Sequence, residues 1–172
     1  SGAYAIGKTE ELLEHAQEQL EAGQVEIPTL INTELGYYRR CSDSRKVLGE
    51  MFKKHNLKPI KWLHAARKEL RKIKIDKSRS GGFTVYTILL DYPPKVRKAK
   101  DRYGIYVGQT SKSAQERFLD HLDPDSFTSR PQPRKYGIEI LYSLTPHLPE
   151  KRLEQGYSLD LEKKIAERLK KA

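Results

Sequence analysis

The chain reads as an α+β protein, a small sheet flanked by helices over residues 81–172, preceded by a helical and strongly basic region over residues 1–80. Three observations predict this class. Apolar residues recur at helical intervals through much of the first eighty positions. Composition then shifts at residues 78–82 (SRSGG), a linker or sharp turn and the best boundary between the two parts. Beyond it, β-branched and aromatic runs alternate with amphipathic segments in the order β, β, α, β, α, without an internal repeat. A length of 172 residues suits one domain or a compact pair.

The first helix is expected over residues 9–22, with Thr9 as N-cap and Leu12, Leu13, Ala16 and Leu20 on one face. A shorter helix follows Pro28 and ends at Gly36, and a third opens at Ser42 and Asp43 and runs to about Asn56. In that third helix Val47, Leu48, Met51 and Phe52 face inward, while Arg45, Lys46, Lys53 and Lys54 point out. Two helices joined by a tight turn, the second one basic, outline a helix-turn-helix. After Pro59, IKWLHAARKELRKIKI keeps a helical period through Trp62, Leu63, Ala66, Leu70 and Ile73, with a short strand at its start as the alternative. FTVYTILLD and YGIYVGQT read as buried strands, joined by YPPKVRKAKDR, whose two prolines and five basic residues make a long cationic loop. SKSAQERFLDHL is a helix with Ala114, Phe118 and Leu122 as its apolar stripe, residues 123–135 a Pro-rich loop, KYGIEILYSL a third strand, and SLDLEKKIAERLKK a last helix capped by Ser158.

Charge narrows the partner. The formal net charge is +10, but residues 1–36 carry −6 (one Lys against seven Glu) and residues 37–80 carry +11 (fifteen basic against four acidic). Tyr37, Tyr38, Phe52 and Trp62 lie among those cations, a mixture that suits nucleic acid better than a bilayer. Arg39, Arg40, Arg45, Lys46, Lys53 and Lys54, together with Lys95, Arg97 and Lys98 of the cationic loop, are the expected contacts to double-stranded DNA. No stretch approaches 18 apolar residues, which excludes a membrane-spanning helix, and the first thirty residues lack a signal-like apolar core. The single cysteine, Cys41, excludes an internal disulfide framework and multi-thiolate zinc, and suits a reducing cytoplasm. Residues 2–9 (GAYAIGKT) match the P-loop pattern literally, but only Ser1 precedes them in the sequence and the phosphate cradle needs a buried strand there, so the match is read as chance.

The second part resembles a known family. Thr84–Tyr86 (TVY) and Tyr106–Gly108 (YVG) on adjacent strands, then Arg117 and His121 on a helix, then Glu162 on a later helix, are similar in order and setting to the GIY-YIG nuclease domain over residues 83–170. The resemblance implies a small three-stranded antiparallel sheet with flanking helices, phosphodiester hydrolysis, and a divalent cation, Mg2+ or Mn2+, on a single glutamate. It implies Tyr86 as general base and Tyr106, Arg117, His121 and Glu162 as the other catalytic residues. A restriction-type endonuclease, with a homodimer on DNA as one arrangement, is the leading expectation; repair or mobile-element nucleases and a non-catalytic nucleic-acid-binding module are the alternatives. Two departures stand out: Tyr86 and Tyr106 are 20 residues apart, and Gln109 follows the YVG glycine where some relatives have Lys.

The residue chemistry is compatible with that expectation. Arg117 and His121 are four apart and share one side of their helix. A guanidinium can hold phosphate bidentately. A free phenol titrates near pKa ~10, so Tyr86 needs a cation, His121 or a bound water to take its proton. Glu162 shares a face with Ile165, Ala166 and Leu169, and one hard carboxylate leaving room for water and phosphate oxygens suits magnesium; Glu154 and Glu139 are alternatives. His15, His55, His64 and His147 have no such context and receive no role.

Overall fold

The computed structural model describes residues 61–93, 95, 103–145 and 147–172, together with Lys53. The chain divides into two compact units, Ser1–His64 and Ala65–Ala172. The expected helix-turn-helix lies outside the described residues, apart from Lys53, which is helical and exposed.

Among the described residues the elements follow in the order α1 (Lys61–Leu70), β1 (Ser80–Asp91), β2 (Tyr103–Thr110), α2 (Ala114–Leu122), α3 (Pro131–Tyr136), β3 (Gly137–Ile140), a 3-10 turn (Tyr142–Leu144) and α4 (Gln155–Leu169). The class is α+β. The SRSGG segment is not a free linker, because Ser80, Gly81 and Gly82 already belong to β1. Gly81 is required there: its amide donates to the Arg152 carbonyl, and a Cβ would lie 2.8 Å from Glu154 Cα and the Leu153 carbonyl.

β1 is buried at every position from Thr84 to Leu90, which is why FTVYTILLD lacks the alternation of a half-exposed strand. Tyr86, Ile88 and Leu90 point to one face and pack with Ala114, Phe118 and Ile140. Val85, Thr87 and Leu89 alternate with them on the other face. Leu161 and Ile165 of α4, which packs on β1 and β2, are also buried. Each such aliphatic side chain contributes about 1.5–3 kcal/mol on burial.

The expectation of a three-stranded sheet is corrected. The extended antiparallel ladder is two-stranded, β1 with β2, over eight pairs from Thr84↔Thr110 to Asp91↔Tyr103. KYGIEILYSL supplies only the four-residue β3 along the other edge of β1, where three positions pair and the register shifts between Leu89 and Leu90. The physical reason lies on both sides of that segment. Pro131 and Pro133 open α3, which runs through Tyr136 in a stretch expected as loop. At the junction Gly137 turns so tightly that a Cβ would sit 2.3 Å from the Pro133 carbonyl. Beyond Ile140 the chain bends into the 3-10 turn, held by Thr87, whose Oγ1 donates to the Leu141 carbonyl at 3.0 Å and whose own carbonyl accepts from Leu141 N–H at 2.9 Å.

Two smaller expectations also change. α4 begins one turn earlier than Ser158, with Glu154 at the N-cap position, and Ser158 is fully buried, its hydroxyl donating to the Gln155 carbonyl at 2.7 Å. On α2 the buried stripe is Ala114, Phe118 and His121, whereas Leu122 is 43% exposed. Among the described residues no helix is long and apolar enough to cross a membrane.

Candidate active site

The strand register places the two tyrosines. Tyr86 lies opposite Gly108 and Ile88 opposite Tyr106, so all four share one face of the β1–β2 ladder. The absence of a side chain at Gly108 gives Tyr86 its path, since a Cβ there would meet Tyr86 Oη at 2.5 Å and Cζ at 2.7 Å. With that space open, the Tyr86 and Tyr106 rings stand 6.3 Å apart, centroid to centroid.

α2 brings the next two residues. Ser113 caps it by accepting from Glu116 N–H at 3.2 Å, and Glu150 Oε1 accepts from Ala114 N–H at 2.8 Å, so its first turn is anchored at two amides. One side of the helix faces the sheet, and at its far end His121, with no exposed surface, sets Nε2 2.8 Å from Tyr86 Oη. The ring also packs edge-on to Tyr106, at 5.6 Å between centroids. Nδ1 accepts from the Arg130 backbone N–H at 3.2 Å, which puts the proton of the neutral ring on Nε2. His121 therefore donates to Tyr86 Oη. Burial, reinforced by the charge of Arg117, lowers its pKa to about 4, with Asp120 opposing and Arg130 assisting, so the ring is neutral near pH 7. The expectation that His121 could relieve Tyr86 of its proton is thus corrected: the ring nitrogen facing the phenol already carries one.

Tyr86 itself is 2% exposed, and burial raises its pKa well above the ordinary phenol range; the neighbouring Tyr106 and Glu162 raise it further, against the lowering influence of Arg117. Tyr106 is half-buried and raised by burial and then by Glu162, with Arg130 and Arg117 opposing. Arg117 is 13% exposed. Its Nη1 donates to Thr128 Oγ1 at 2.8 Å and its Nη2 to the Thr128 carbonyl at 2.6 Å, so the guanidinium is latched to the loop after α2. Asp120 lies 3.8 Å from Nη1 and pairs more closely with Lys112, at 2.7 Å.

Glu162 is half-buried on α4, one turn after Ser158, which also contacts Gln109 of β2. Among the described residues its carboxylate has no hydrogen bond or ion pair. Burial raises its pKa, offset by Arg130 and Lys163. A desolvated carboxylate without a bound partner fits a hard divalent cation, and the described residues contain no cluster of three or more His, Cys, Asp or Glu. Glu154 is already committed, at 3.0 Å from Arg79, whose guanidinium also covers the Tyr157 ring at 4.8 Å. Glu139 sits in β3 opposite Leu89, its side chain outside the described set.

The other four residues expected from the sequence, Tyr106, Arg117, His121 and Glu162, thus each act on Tyr86, by contact or through their charge. The expected DNA contacts do not bear on it: Lys53 and Lys95 are exposed, and Arg39, Arg40, Arg45, Lys46, Lys54, Arg97 and Lys98 lie outside the described residues. One residue was missed, Arg130, whose charge reaches Tyr106, His121 and Glu162. It ends a loop, where no periodicity marks a side chain's direction. Comparison of the chain with family models, curated proteins and solved structures finds no match.

Proposed function

We propose that the unit containing the sheet is a phosphodiester hydrolase acting on double-stranded DNA, a GIY-YIG-type endonuclease of the restriction kind, using Mg2+ or Mn2+ and working in the cytoplasm. The observation that carries the reading is the convergence of Tyr106, Arg117, His121 and Glu162 on one tyrosine hydroxyl, Tyr86 Oη, which accepts a hydrogen bond from a neutral histidine. The basic segment of residues 37–80 supplies the affinity for duplex DNA, and two copies would address two strands.

In this reading Arg117 holds a phosphate oxygen and opposes the charge that develops on the pentavalent phosphorus. Tyr86, as phenolate, accepts the proton of the attacking water while the bond to the leaving oxygen breaks. The His121 Nε2–H bond and the charge of Arg117 favour that phenolate, against burial. When bound on Glu162, a divalent cation supplies positive charge against the phosphate and leaving oxygens. Because burial opposes the phenolate, the cleavage rate rises with pH through neutrality.

A specific observation favours a second reading, a nucleic-acid-binding module in which Tyr86 only packs: that residue is 2% exposed. Single-turnover cleavage of a plasmid, with and without Mg2+ or Mn2+, separates the two. Wild-type cutting that falls by several orders of magnitude in Glu162→Gln, with DNA affinity kept, supports the nuclease. Binding without cutting under either metal establishes the module.

A further inference from the structure

Thr128 lies exposed in the loop between α2 and α3, and two of its oxygens serve one guanidinium. Its Oγ1 accepts from Arg117 Nη1 at 2.8 Å and its carbonyl from Nη2 at 2.6 Å. The hydroxyl is itself held, 3.2 Å from Ser126 Oγ. On the near side of Thr128 the loop backbone folds on itself, with Ser126 N–H donating to the Asp123 carbonyl at 3.3 Å and Ser129 N–H to the Ser126 carbonyl at 3.2 Å. On the far side it is tied to α2, where the Ser129 hydroxyl donates to the His121 carbonyl at 2.8 Å and the Arg130 N–H to His121 Nδ1 at 3.2 Å. One loop therefore orients two residues that stand a turn apart on α2: His121 through the Arg130 amide, and Arg117 through Thr128.

Phosphate is bound best by two parallel N–H groups, so the direction of an arginine's fork matters as much as its charge. Because a single residue supplies both acceptors, they meet the terminal nitrogens of Arg117 along the edge between those nitrogens. Two donors are spent there, and the rest stay available. Nε–H and the outer N–H of Nη2 lie side by side on the adjoining edge and form a free parallel fork. Asp120 is 3.8 Å from Nη1, on the other flank and beyond hydrogen-bond reach, so it does not compete for that fork. Arg117 shares its side of α2 with His121, whose Nε2 lies 2.8 Å from Tyr86 Oη.

We infer that Thr128 is a positioning residue of the site: by gripping both terminal nitrogens of Arg117 it turns the Nε edge of the guanidinium toward the scissile phosphate. The inference rests on the proposed hydrolysis and adds a residue that acts through Arg117 without touching substrate. Thr128 is exposed and contributes little to the core, so changing it separates orientation from folding.

The test is single-turnover cleavage of a duplex oligonucleotide at saturating enzyme by wild type, Thr128→Val and Thr128→Ser, beside duplex binding in EDTA and the NMR shift of the Arg130 amide. Valine keeps the shape and the carbonyl but puts a methyl group where Nη1 needs an acceptor. Its cleavage rate should fall about tenfold or more, the scale of a misplaced catalytic group, while serine, which restores the hydroxyl, should cut within about threefold of wild type. The Arg130 amide should keep its shift in both variants, because its bond to His121 does not involve Thr128. A smaller loss in the valine variant at saturating enzyme, whatever its duplex affinity, overturns the inference and leaves the nuclease standing. A serine variant as slow as valine also overturns it, since loop shape rather than the hydroxyl would then matter. So does a displaced Arg130 amide, since the loss would then run through His121. A wild type that cuts nothing under Mg2+ or Mn2+ removes the hydrolase and this role together. Should Thr128→Val fail to melt cooperatively, Thr128→Ala takes its place with the same criteria.

Discussion

Acidification should destabilise the sheet-containing unit through one residue, and the size of the effect can be worked out. The His121 pKa falls from 6.5 in the unfolded chain to about 4 in the folded one. Between those values the unfolded state binds the proton and the folded state does not, so stability rises with pH across the window and is lost as pH falls through it. A displacement of about 2.5 units at 1.36 kcal/mol each comes to about 3 kcal/mol lost by pH 4, a large share of a typical domain's stability. Burial of the imidazole comes first in resisting protonation, and the charges of Arg117 and Arg130 add to it while that of Asp120 opposes them. His121→Gln isolates the term. It sacrifices the bond to Tyr86 at about 1 kcal/mol at pH 7, but it cannot titrate, so its deficit relative to wild type should shrink and reverse toward pH 4. His147, whose pKa burial also lowers, is present in both proteins and cancels. The assay is urea unfolding at several pH values, read from the protection of β1 amides. Parallel loss of stability in both proteins between pH 7 and 4, or an NMR titration of His121 near 6.5, would refute the reasoning.

Three other perturbations read different parts of the site. Gly108→Ala places a methyl group 2.5 Å from Tyr86 Oη, so the ring must shift; about 1–3 kcal/mol of stability should be lost in thermal or urea unfolding, together with most cleavage. Tyr86→Phe leaves the buried Nε2–H of His121 without its acceptor, at about 1–3 kcal/mol, and should abolish single-turnover cleavage; an active, equally stable variant would make the hydroxyl irrelevant. Neutralising Arg45, Lys46, Lys53 and Lys54 together should weaken duplex binding and flatten the plot of log affinity against log salt by about 0.9 per lost phosphate contact. An unchanged slope would locate binding elsewhere, starting with Lys95 and its loop.

What the sequence determined by itself was local and periodic. β-branched density marks Thr84 to Leu90 as buried on both faces, and helical spacing marks α1, α2 and α4. The order of Tyr86, Tyr106, Arg117, His121 and Glu162 along those elements was enough to nominate the group that assembles. The tertiary structure decided what depends on partners distant in the chain. KYGIEILYSL carries the residues of a long strand, yet Pro131 and Pro133 before it and the Thr87 bonds to Leu141 after Ile140 leave only Gly137–Ile140 extended. The spacing of α2 suited Leu122 as well as His121 for its inner face, and the Tyr86 hydroxyl together with the Arg130 amide selected the histidine, because only a side chain with a donor and an acceptor satisfies both. Its direction of donation comes from a loop, through the Arg130 amide. A loop's backbone has no period to read, so its contribution to the site existed only once the fold had closed around His121.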